Sequence, residues 1–585
     1  MRSAKIVATL GPASSSLETI EAMAEAGMTV ARLNTSHGTV SERADLIDRV
    51  DSVRQDLDLP LATMVDLRGP EIRTADVDET ITLSAGDSVR IVSEEVLTEE
   101  TIGVSVDLSD ISSGTTILLD DGRIEASVTA VEDDGLVATI EAGGELSGQS
   151  GVNIPGVSLD IDFVTEADAA DLDLAAERSV DFVAASFVED RDDVLAVSEA
   201  LEARGANIPI IAKIERDMAL QNIDEIVDTA YGIMVARGDL GVECPLEQVP
   251  IIQKQLIRRC RNAGVPVITA TEMLDSMVSE SRPTRAEASD VANAVLDGTD
   301  AVMLSAETAV GERPVGVIEA MAELIRTVES SEEYSDLRDQ RVPTAEGTYT
   351  DALARSARYL ARDIGARAIV VASESGFTAL KTTKFRPGVP IVAVSPDDRV
   401  LRRLSLSWGV HPELGSLADE PGGVIQSAVD TALSAEMVES GDTVVAISGV
   451  MTDVDRETAN TLQIHIAAER VAVGTGVVAG DVAGPLVISE DGHIEGIPDG
   501  AVLYLPKSFQ GEISGELDRL GGIMHERHGM TGYPALIARE LNIPMASGVT
   551  LPSELTEGET LTLSGDRGVV YRGNVLEQPA LPRTQ

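Results

Sequence analysis

Charged side chains stand directly after short apolar runs of this sequence. Lys213 and Glu215 are separated by one residue, so in an extended chain both side chains point to the same side. Asp239 supplies a second carboxylate after the next apolar run. Carboxylate oxygens are the hard ligands that Mg²⁺ prefers, and this ion keeps waters and takes the rest of its shell from substrate. The spacing therefore predicts a magnesium site at Glu215 and Asp239 with an ammonium beside it.

Four further residues extend this candidate site. Arg32 and Arg73 carry planar guanidinium groups suited to phosphate or carboxylate. Thr271 can relay a proton, although it is too weak an acid to be the ultimate proton source. Gly238 lets backbone N–H groups come close to an anionic substrate. An ammonium and a divalent metal together suit an oxyanion or a phosphoryl group in transfer.

Eight short apolar runs, each followed by a polar segment of helical length, must position these side chains. Alternating strand and helix patterns predict βα units, and eight units predict a (β/α)8 barrel, the TIM barrel of the α/β class. The runs are Lys5–Leu10, Thr29–Leu33, Ala62–Leu67, Val180–Phe187, Ile208–Ile214, Gly232–Ala236, Val265–Ala270 and Asp300–Leu304. Polar residues follow six of these runs, and strand ends of a barrel converge on one face. We expect the candidate site at that face.

The sequence predicts four domains. The barrel domain comprises residues 1–70 and 161–333, and the Thr- and Gly-rich residues 71–160 read as an inserted β domain, a small β barrel placed to act as a lid. Residues 334–470 begin with a polar segment, Tyr334 to Thr350, and continue as an α/β domain. Residues 471–585 form a C-terminal extension that ends in a loose polar tail, Pro579 to Gln585.

Charge and composition restrict the classes of partner and compartment. The 99 acidic and 45 basic residues give a formal net charge of -54, which disfavours nucleic acid as a partner. A salt-rich cytoplasm would screen this charge and would make the protein halophilic, while a merely acidic protein is the alternative. Cys244 and Cys260 form neither a disulfide framework nor a CxxC pair. We found no membrane-spanning run and no signal peptide, and we expect a cytoplasmic protein.

Each motif also has a purely structural interpretation. Lys-x-Glu is commonly a surface pair, and residues 237–239, Arg-Gly-Asp, are commonly a turn. Ser305 and Glu307 could brace the rim of the barrel, and Asn34 and Ser36 could cap the next helix. No GxxxxGK[ST] loop occurs, which excludes a P-loop kinase. The joint placement of the motifs at strand ends favours the chemical interpretation.

Between Lys5 and Gly449 the sequence resembles the pyruvate kinase family. The resemblance rests on residues 5–14 (KIVATLGPAS), 31–38 (ARLNTSHG), 69–74 (GPEIRT), 211–215 (IAKIE), 233–241 (IMVARGDLG), 282–287 (RPTRAE), 290–298 (DVANAVLDG) and 303–308 (MLSAET). It implies transfer of the phosphoryl group of phosphoenolpyruvate to ADP, giving ATP and pyruvate, in the last step of glycolysis. It also implies Mg²⁺, with Mn²⁺ as an alternative, and a homotetramer.

The resemblance implies a role for each candidate residue. Lys213 would stabilise the phosphoryl group and the enolate, and Thr271 would lie where the enolate carbon is protonated. The roles implied for the other residues are as follows: Arg32 and Arg73 grip the phosphoryl group, Gly238 and Asp239 face the substrate carboxylate, Glu215 and Asp239 hold Mg²⁺, and Asn34, His37 and Arg73 lie towards the nucleotide.

The family's potassium site corresponds here to Asn34, Ser36, Asp66 and the backbone of Leu67. Glu71 fits the potassium-dependent pattern, whereas Leu67 stands where Thr is common and resembles potassium-independent members. Gln149 and Ser150 stand where relatives often carry lysines for nucleotide phosphates. In the third domain, Glu374 lies in a segment that resembles the family's effector loop and would oppose an anionic effector.

The C-terminal extension resembles the swivelling phosphohistidine domain of phosphoenolpyruvate-utilising enzymes, over residues 529–544 (GMTGYPALIARELNIP). Tyr533 occupies the position of the phosphorylated histidine, and His525 and His528 nearby are poor substitutes. We therefore expect a structural or regulatory role for the extension.

Two rival functions are compatible with the residues alone. One is an aldolase or lyase that uses the same magnesium-enolate chemistry without ADP, which leaves the inserted lid unexplained. The other is a catalytically silent sensor that binds phosphoenolpyruvate, against which the intact set of Lys213, Glu215, Asp239 and Thr271 argues. Dependence of pyruvate release on ADP distinguishes all three functions.

Overall fold

The structure is a computed structural model that describes residues 2–78, 80–108, 111–132, 134–157, 162–418, 421–449 and 459–576. The chain divides into two compact units, Met1–Thr344 with Asp398–Val410, and Ala345–Asp397 with His411–Gln585. The predicted boundary at residues 160 and 161 and the tail Pro579 to Gln585 lie outside the described residues. Within the described ranges, no helix combines the length and the apolar character needed to cross a membrane.

The first unit begins with βα units of the predicted barrel. These elements are β1 (Lys5–Leu10), α1 (Leu17–Ala26), β2 (Val30–Asn34), α2 (Val40–Leu57) and β3 (Ala62–Asp66). The helices begin at side-chain caps: Ser16 accepts a hydrogen bond from the backbone of Thr19, and Thr39 forms a capping box with Glu42. Caps of this kind satisfy N–H groups that a helix leaves unpaired, which fixes where each helix starts.

The insertion after β3 is an all-β domain, as predicted. Its strands are β4 (Ile72–Arg73), β5 (Thr80–Leu83), β6 (Ser88–Val92), β7 (Thr101–Gly103), β8 (Thr116–Leu119), β9 (Ile124–Glu132), β10 (Gly135–Ala142), β11 (Gly144–Ser147) and β12 (Gly151–Asn153). They pair as a seven-stranded sheet, β4-β12-β8-β9-β10-β6-β7, and a two-stranded ribbon, β11-β5. Alternate residues of these strands fill one apolar core, including Ile91, Ile117 and Ile140.

The remaining βα units follow the insertion. They are α3 (Glu166–Glu177), β13 (Phe182–Ala185), α4 (Arg191–Glu202), β14 (Ile210–Ile214), α5 (Asp217–Gln221), α6 (Ile223–Thr229), β15 (Gly232–Ala236), α7 (Arg237–Glu243), α8 (Val249–Ala263), β16 (Val267–Ala270), α9 (Arg285–Asp297), β17 (Ala301–Leu304), α10 (Ala306–Ala309), α11 (Pro314–Glu329) and α12 (Glu332–Gln340).

Eight parallel strands close in the order β1-β17-β16-β15-β14-β13-β3-β2, which confirms the TIM barrel. The strands are buried on both faces, because apolar side chains fill the interior and helices cover the outside. Val30, Met64, Phe182 and Met234 are among the interior residues and are fully buried. This packed cylinder fixes the positions of the strand ends.

Helix α12 was not predicted, because most of it falls in the polar segment that begins at Tyr334. The Ser331 side chain caps the helix by accepting a hydrogen bond from the backbone of Tyr334. The Tyr334 hydroxyl in turn accepts a hydrogen bond of 3.0 Å from the buried indole of Trp408. This contact spans 74 residues, so local hydrophobic periodicity carries no signal for it.

The second unit contains two further sheets. Between residues 349 and 466 the chain forms α13 (Tyr349–Ile364), β18 (Ala368–Ala372), α14 (Phe377–Thr383), β19 (Ile391–Ser395), α15 (Asp398–Leu404), β20 (Val410–Leu414), α16 (Pro421–Ser434), β21 (Thr443–Ser448) and β22 (Thr461–Ile466). The strands form a five-stranded sheet, β20-β19-β18-β21-β22. Helix α15 belongs to the first unit, in which Arg402 donates a 2.7 Å hydrogen bond to buried Asp181.

The C-terminal extension folds around its own sheet and cores. Its elements are β23 (Arg470–Val473), β24 (Thr475–Val478), β25 (Asp481–Ile488), β26 (His493–Ile494), β27 (Ala501–Leu505), β28 (Ser514–Gly515), β29 (Leu520–His525), α17 (Tyr533–Leu541), β30 (Met545–Ser547), β31 (Thr560–Ser564) and β32 (Val569–Arg572). Eight strands pair in the order β23-β32-β31-β25-β27-β29-β30-β24. The apolar cores of this part contain residues beyond 470 only.

Candidate active site

Lys213, near the end of β14, lies at the centre of a buried polar cluster. Its ammonium nitrogen is 2.8 Å from Oε1 of Glu215 and 3.3 Å from Oδ1 of Asp66, and it donates a 2.6 Å hydrogen bond to the Ser186 hydroxyl. Strand β14 pairs with β13 and β13 pairs with β3, which brings these strand ends together. The predicted convergence of Lys213 and Glu215 on one side of the strand is confirmed.

Arg32, on β2, shares the carboxylate of Asp66 with Lys213. The Arg32 Nε and Nη2 atoms each lie 2.6 Å from Oδ2 of Asp66, and Nη1 donates a 2.9 Å hydrogen bond to the Thr9 hydroxyl. Burial by itself would raise the pKa of Asp66, but the charges of Arg32 and Lys213 outweigh it and hold this pKa below its usual value. Asp66 is therefore a buried anion that orients two cations.

The ammonium of Lys213 stays protonated despite its burial. Burial lowers the pKa of Lys213, while the carboxylates of Asp66 and Glu215 raise it, and the net effect is a pKa above the usual value. Its side chain is only 11% exposed. A fixed positive charge in a site shielded from water interacts strongly with a developing anion.

Glu215 and Asp239 supply the predicted pair of carboxylates. Glu215 is buried, and its Oε2 accepts a 2.7 Å hydrogen bond from the backbone of Phe187. Asp239 lies in the first turn of α7, where burial and the charge of Glu215 raise its pKa to about 7, while Lys213 acts in the opposite direction. The site therefore carries negative charge that its own cations leave partly unbalanced.

This donor set fits a hard divalent cation. Among the described residues, no group of three or more His, Cys, Asp or Glu side chains could hold a metal. Two oxygen-donating carboxylates match the few protein ligands that Mg²⁺ takes when waters and substrate phosphate complete its shell. A cation there would also offset the repulsion between Glu215 and Asp239 that raises the pKa of Asp239.

Thr271 follows β16 in an unusual backbone conformation. Its φ is +65° and that of Glu272 is +55°, in the left-handed region that side chains with a Cβ rarely adopt. The Thr271 hydroxyl donates a 2.7 Å hydrogen bond to the carbonyl of Ala270 and accepts one of 2.8 Å from the backbone of Gly238. Thr271 and Gly238 are thus brought together, as predicted for neighbouring strand ends.

Arg237 fixes this conformation, a role that the sequence analysis did not assign. Its Nη2 donates a 2.6 Å hydrogen bond to the Thr271 carbonyl, and its Nε donates one of 3.1 Å to the Ala270 carbonyl. Its Nη1 lies 2.6 Å from the Asp290 carboxylate. Ser186 was also missed. Both residues stand at strand ends, which is the signal that could have identified them.

Arg73 lies on β4 of the inserted domain. It forms a 2.8 Å ion pair with Glu71 and donates a 2.7 Å hydrogen bond to the backbone carbonyl of Gln149. Its side chain is 32% exposed, so part of the guanidinium faces solvent. Arg73 therefore belongs to the inserted domain, whereas Arg32 and Lys213 lie on strands of the barrel.

The residues predicted for potassium and nucleotide follow β2 and β3. Asn34 and Asp66 are paired in register, and the Asn34 side-chain oxygen accepts a 3.2 Å hydrogen bond from the backbone of Ser36. The carbonyl of Leu67 accepts a 2.7 Å hydrogen bond from Ser186. His37 is exposed, and its carbonyl accepts a hydrogen bond from Arg43.

Glu307 braces the rim of the barrel, which was one of the two interpretations left open. Its carboxylate accepts backbone hydrogen bonds of 3.1 Å from Leu274 and 2.6 Å from Ser305. Glu307 is 2% exposed, so these bonds satisfy a buried charge.

Comparison with known families matches three parts of the chain. The model of the pyruvate kinase barrel domain matches residues 1–318, that of the pyruvate kinase alpha/beta domain matches residues 351–465, and that of the mobile domain of PEP-utilising enzymes matches residues 497–568. These matches confirm the resemblances stated for the barrel, the third domain and the extension.

Individual pyruvate kinases are similar to this chain in sequence and in structure. The pyruvate kinases of Bacillus licheniformis and Geobacillus stearothermophilus are each 40% identical to this chain over 583 residues, covering 98% of this chain and 99% of the relative. The crystal structure of a pyruvate kinase from Cryptosporidium parvum superposes with a TM-score of 0.74 at 33% identity, covering 80% of this chain and 96% of that one. The chain belongs to the pyruvate kinase family and is a phosphotransferase.

Proposed function

We propose that the Lys213 cluster transfers the phosphoryl group of phosphoenolpyruvate to ADP, giving ATP and pyruvate. The observation that carries this proposal is the ammonium of Lys213, which is held between Asp66 and Glu215 at the carboxyl ends of the barrel strands. Phosphoryl transfer needs little covalent chemistry from a protein, and depends on positioning and on stabilisation of negative charge. A buried ammonium fixed by three partners supplies both.

Lys213 and Arg32 stabilise the negative charge of the phosphoryl group in transfer, and Lys213 also stabilises that of the enolate. Lys213 stabilises the phosphoryl group in transfer and the enolate that remains, since its charge is fixed and poorly solvated. Arg32 grips the phosphoryl oxygens with the donors that Asp66 does not use. Both cations are oriented before substrate arrives, which avoids the cost of reorganisation during the reaction.

Glu215 and Asp239 would hold Mg²⁺, with Mn²⁺ as an alternative hard cation. The bound ion would act as a Lewis acid that polarises phosphoryl and enolate oxygens. The chain's own contribution is to orient the carboxylates: the Phe187 backbone fixes Glu215, and α7 presents Asp239 next to Gly238. The Gly238 and Asp239 turn also faces the substrate carboxylate.

Thr271 holds a proton at its Oγ1 near the carbon of the enolate that becomes the methyl group of pyruvate. The hydroxyl already bonds to Gly238 and Ala270, so its orientation is fixed. Because a hydroxyl is a weak acid, Thr271 relays a proton that originates in solvent. Arg237 acts as a positioning residue for Thr271 through the carbonyl of that residue.

We infer that the nucleotide lies towards Asn34, His37 and Arg73, with the inserted domain as a lid. Asp121, in the turn between β8 and β9, adds to the negative charge that raises the pKa of Asp239. A Cβ on Gly122, in the same turn, would lie 3.3 Å from Val242 of α7. The turn therefore lies against the helix that carries Asp239, which supports a lid role for the insertion.

We propose K⁺ as the monovalent cofactor, held by oxygens of Asn34, Ser36, Asp66 and Leu67. The strand register that pairs Asn34 with Asp66 supports this site. The ligand at Leu67 is its main-chain oxygen, which is present whatever side chain stands at this position. We also propose a homotetramer in a salt-rich cytoplasm. The net charge of -54 supports the salt requirement.

We propose domain boundaries near residues 70, 160, 333 and 470. The boundary near residue 470 is supported by the sheets on its two sides, because β22 belongs to the five-stranded sheet and β23 to the eight-stranded sheet. Tyr533 opens α17 at the position where a phosphohistidine would stand, so we assign the extension a structural or regulatory role rather than phosphoryl shuttling. Incubation with labelled phosphoenolpyruvate should leave no acid-labile phosphate on the enzyme, and a phosphorylated His525 or His528 would contradict this role.

A coupled assay tests the function as a whole. Pyruvate release from phosphoenolpyruvate is measured with and without ADP, Mg²⁺ and K⁺ in molar salt. We expect turnover to require ADP and Mg²⁺ together and to rise with K⁺ over a tetramethylammonium control. ADP-independent pyruvate release would instead indicate a lyase, and binding of phosphoenolpyruvate without turnover would indicate a sensor.

A further inference from the structure

A pocket of about 530 Å³ lies on the outside of the barrel, away from the strand ends that carry the Lys213 cluster. One wall is the outer face of α8, and the other is formed by Arg341 and the two residues after it. Lys254, Arg258 and Arg261 follow one another at helical spacings of four and three, so they lie on the same face of α8. The volume falls within the range of small-molecule sites.

The lining of this pocket is strongly basic in a strongly acidic protein. Four of the 45 basic residues of the chain converge on it, whereas Asp297 is the only carboxylate among the described residues that line it. Both oxygens of Asp297 bind the Lys254 ammonium, at 2.6 and 2.7 Å. Asp297 is therefore occupied by Lys254, and among the described residues no ion pair joins it to Arg258 or Arg341.

The two exposed arginines differ in their partners. Arg341 donates a 3.2 Å hydrogen bond to the backbone carbonyl of Leu296, which anchors one nitrogen and leaves its charge uncompensated. The side chain of Arg258 makes no hydrogen bond or ion pair with any other residue that the structure describes, although its backbone lies within α8. Crowded like charges destabilise a fold unless an anion joins them. The lining is thus complementary to a ligand of opposite charge.

We propose that this pocket binds a small phosphate-bearing anion. Guanidinium groups match phosphate oxygens in pairs of parallel hydrogen bonds, and Arg258 with Arg341 presents two such groups from opposite walls. Asn262 and Gln255 add neutral hydrogen-bonding groups, and Val342 and Pro343 add a small apolar surface. The ligand is either free phosphate or a small phosphate ester. This site is separate from the proposed phosphoryl-transfer site and does not depend on it.

Binding of inorganic phosphate to the full chain tests the proposal. Calorimetric titration in molar KCl at constant ionic strength compares the wild type with Arg258→Glu and Arg341→Glu. The matched control is Arg259→Glu, which makes the same charge change on α8 at an exposed arginine that pairs with Asp224 outside the pocket. Since all variants keep the active-site residues, phosphate bound there contributes equally to every titration.

We expect the pocket variants to weaken a phosphate-binding component at least tenfold, and the control to retain wild-type affinity. Glycerol 3-phosphate as a second probe identifies the source, because tighter binding of the ester indicates a phosphorylated metabolite and equal binding indicates free phosphate. Unchanged affinity in both pocket variants, or an equal loss in Arg259→Glu, overturns the proposal. Arg258→Gln and Arg341→Gln replace either Glu variant that fails to fold.

Discussion

The ammonium of Lys213 lies 3.3 Å from Oδ1 of Asp66, although the two residues are on strands β14 and β3 with β13 between them. The other oxygen of Asp66 binds Arg32 at 2.6 Å. One buried carboxylate thus sets the distance and orientation of both cations proposed to act on the phosphoryl group. The family resemblance implies a place for Asp66 only in the potassium site, and the structure adds this positioning role.

Replacement of Lys213 by Met should abolish turnover while leaving the substrate-binding arginines in place. The loss removes the charge that stabilises the phosphoryl group and the enolate, and we expect kcat to fall by at least about 10³-fold. Steady-state kinetics with phosphoenolpyruvate and ADP measure this. Lys507→Met is the matched control, because Lys507 is exposed in the extension.

The Met variant also leaves Asp66 and Glu215 without their shared cation, so its folding must be checked by circular dichroism. Lys213→Arg keeps the charge and changes its geometry, and it should also lose most activity. Turnover of either variant within tenfold of the wild type would contradict the role assigned to Lys213.

Asp239→Asn should weaken activation by Mg²⁺. Removal of one of two ligand carboxylates raises the Mg²⁺ concentration for half-maximal activity by more than about tenfold. Because the pKa of Asp239 is raised to about 7 by burial and by Glu215, a proton competes with the metal below pH 7. Apparent Mg²⁺ affinity of the wild type should therefore rise as the pH increases through 7.

The variant should lose this pH dependence along with its affinity, as measured by Mg²⁺ titration of activity at pH 6 to 8. Asp224→Asn, at an exposed carboxylate paired with Arg259, should behave as the wild type. An unchanged Mg²⁺ requirement in Asp239→Asn would remove Asp239 from the metal site.

Arg237→Lys should impair the protonation of the enolate more than the binding of phosphoenolpyruvate. A lysine cannot hold the carbonyls of Ala270 and Thr271 together with Asp290, so the left-handed turn at Thr271 loses its anchor. Small displacements of a reacting group cost about 10²-fold. We expect hydrogen-deuterium exchange at the methyl group of pyruvate to fall by about this factor, with a smaller change in KM.

Asp290→Asn should show the same pattern in weaker form, since it loosens Arg237 without removing it. A variant with Thr271→Ser in addition to Arg237→Lys should be less impaired than the sum of the two changes, because both act through one hydroxyl. Equal losses in exchange and in substrate binding would indicate a general structural role for Arg237 instead.

Lys5 should make the stability of the barrel depend on pH in the alkaline range. Burial and the charge of Arg2 lower the pKa of Lys5 to about 7, although its ammonium donates a hydrogen bond to the Val410 carbonyl and Glu329 acts in the opposite direction. Between pH 7 and the ordinary pKa of lysine, the unfolded chain binds more protons than the folded chain. The free energy of unfolding therefore rises with pH over this interval.

Lys5→Met removes this contribution. The melting temperature of the wild type should therefore rise relative to that of the variant as the pH increases from 7 to 10. Lys381→Met, at a lysine of the second unit, should melt in parallel with the wild type. Parallel melting curves of Lys5→Met and wild type across this range would show that folding does not lower the pKa of Lys5.

The sequence by itself determined the barrel and the identity of most side chains in the site. The eight barrel strands were predicted within two residues of their observed ends, because short apolar runs separated by helical patterns have few other solutions. The pair Lys213 and Glu215 was predicted because side chains two residues apart on a strand share a face. These are local properties, and the family motifs carry the same information.

The tertiary structure decided what those side chains bind. The sharing of Asp66 between Lys213 and Arg32 and the anchoring of Thr271 by Arg237 join residues from different strands. The basic pocket beside α8 also depends on Arg341, which lies 80 positions beyond Arg261. Such pairings arise from the closure of the barrel and from helix packing, and residue spacing along the chain does not encode them.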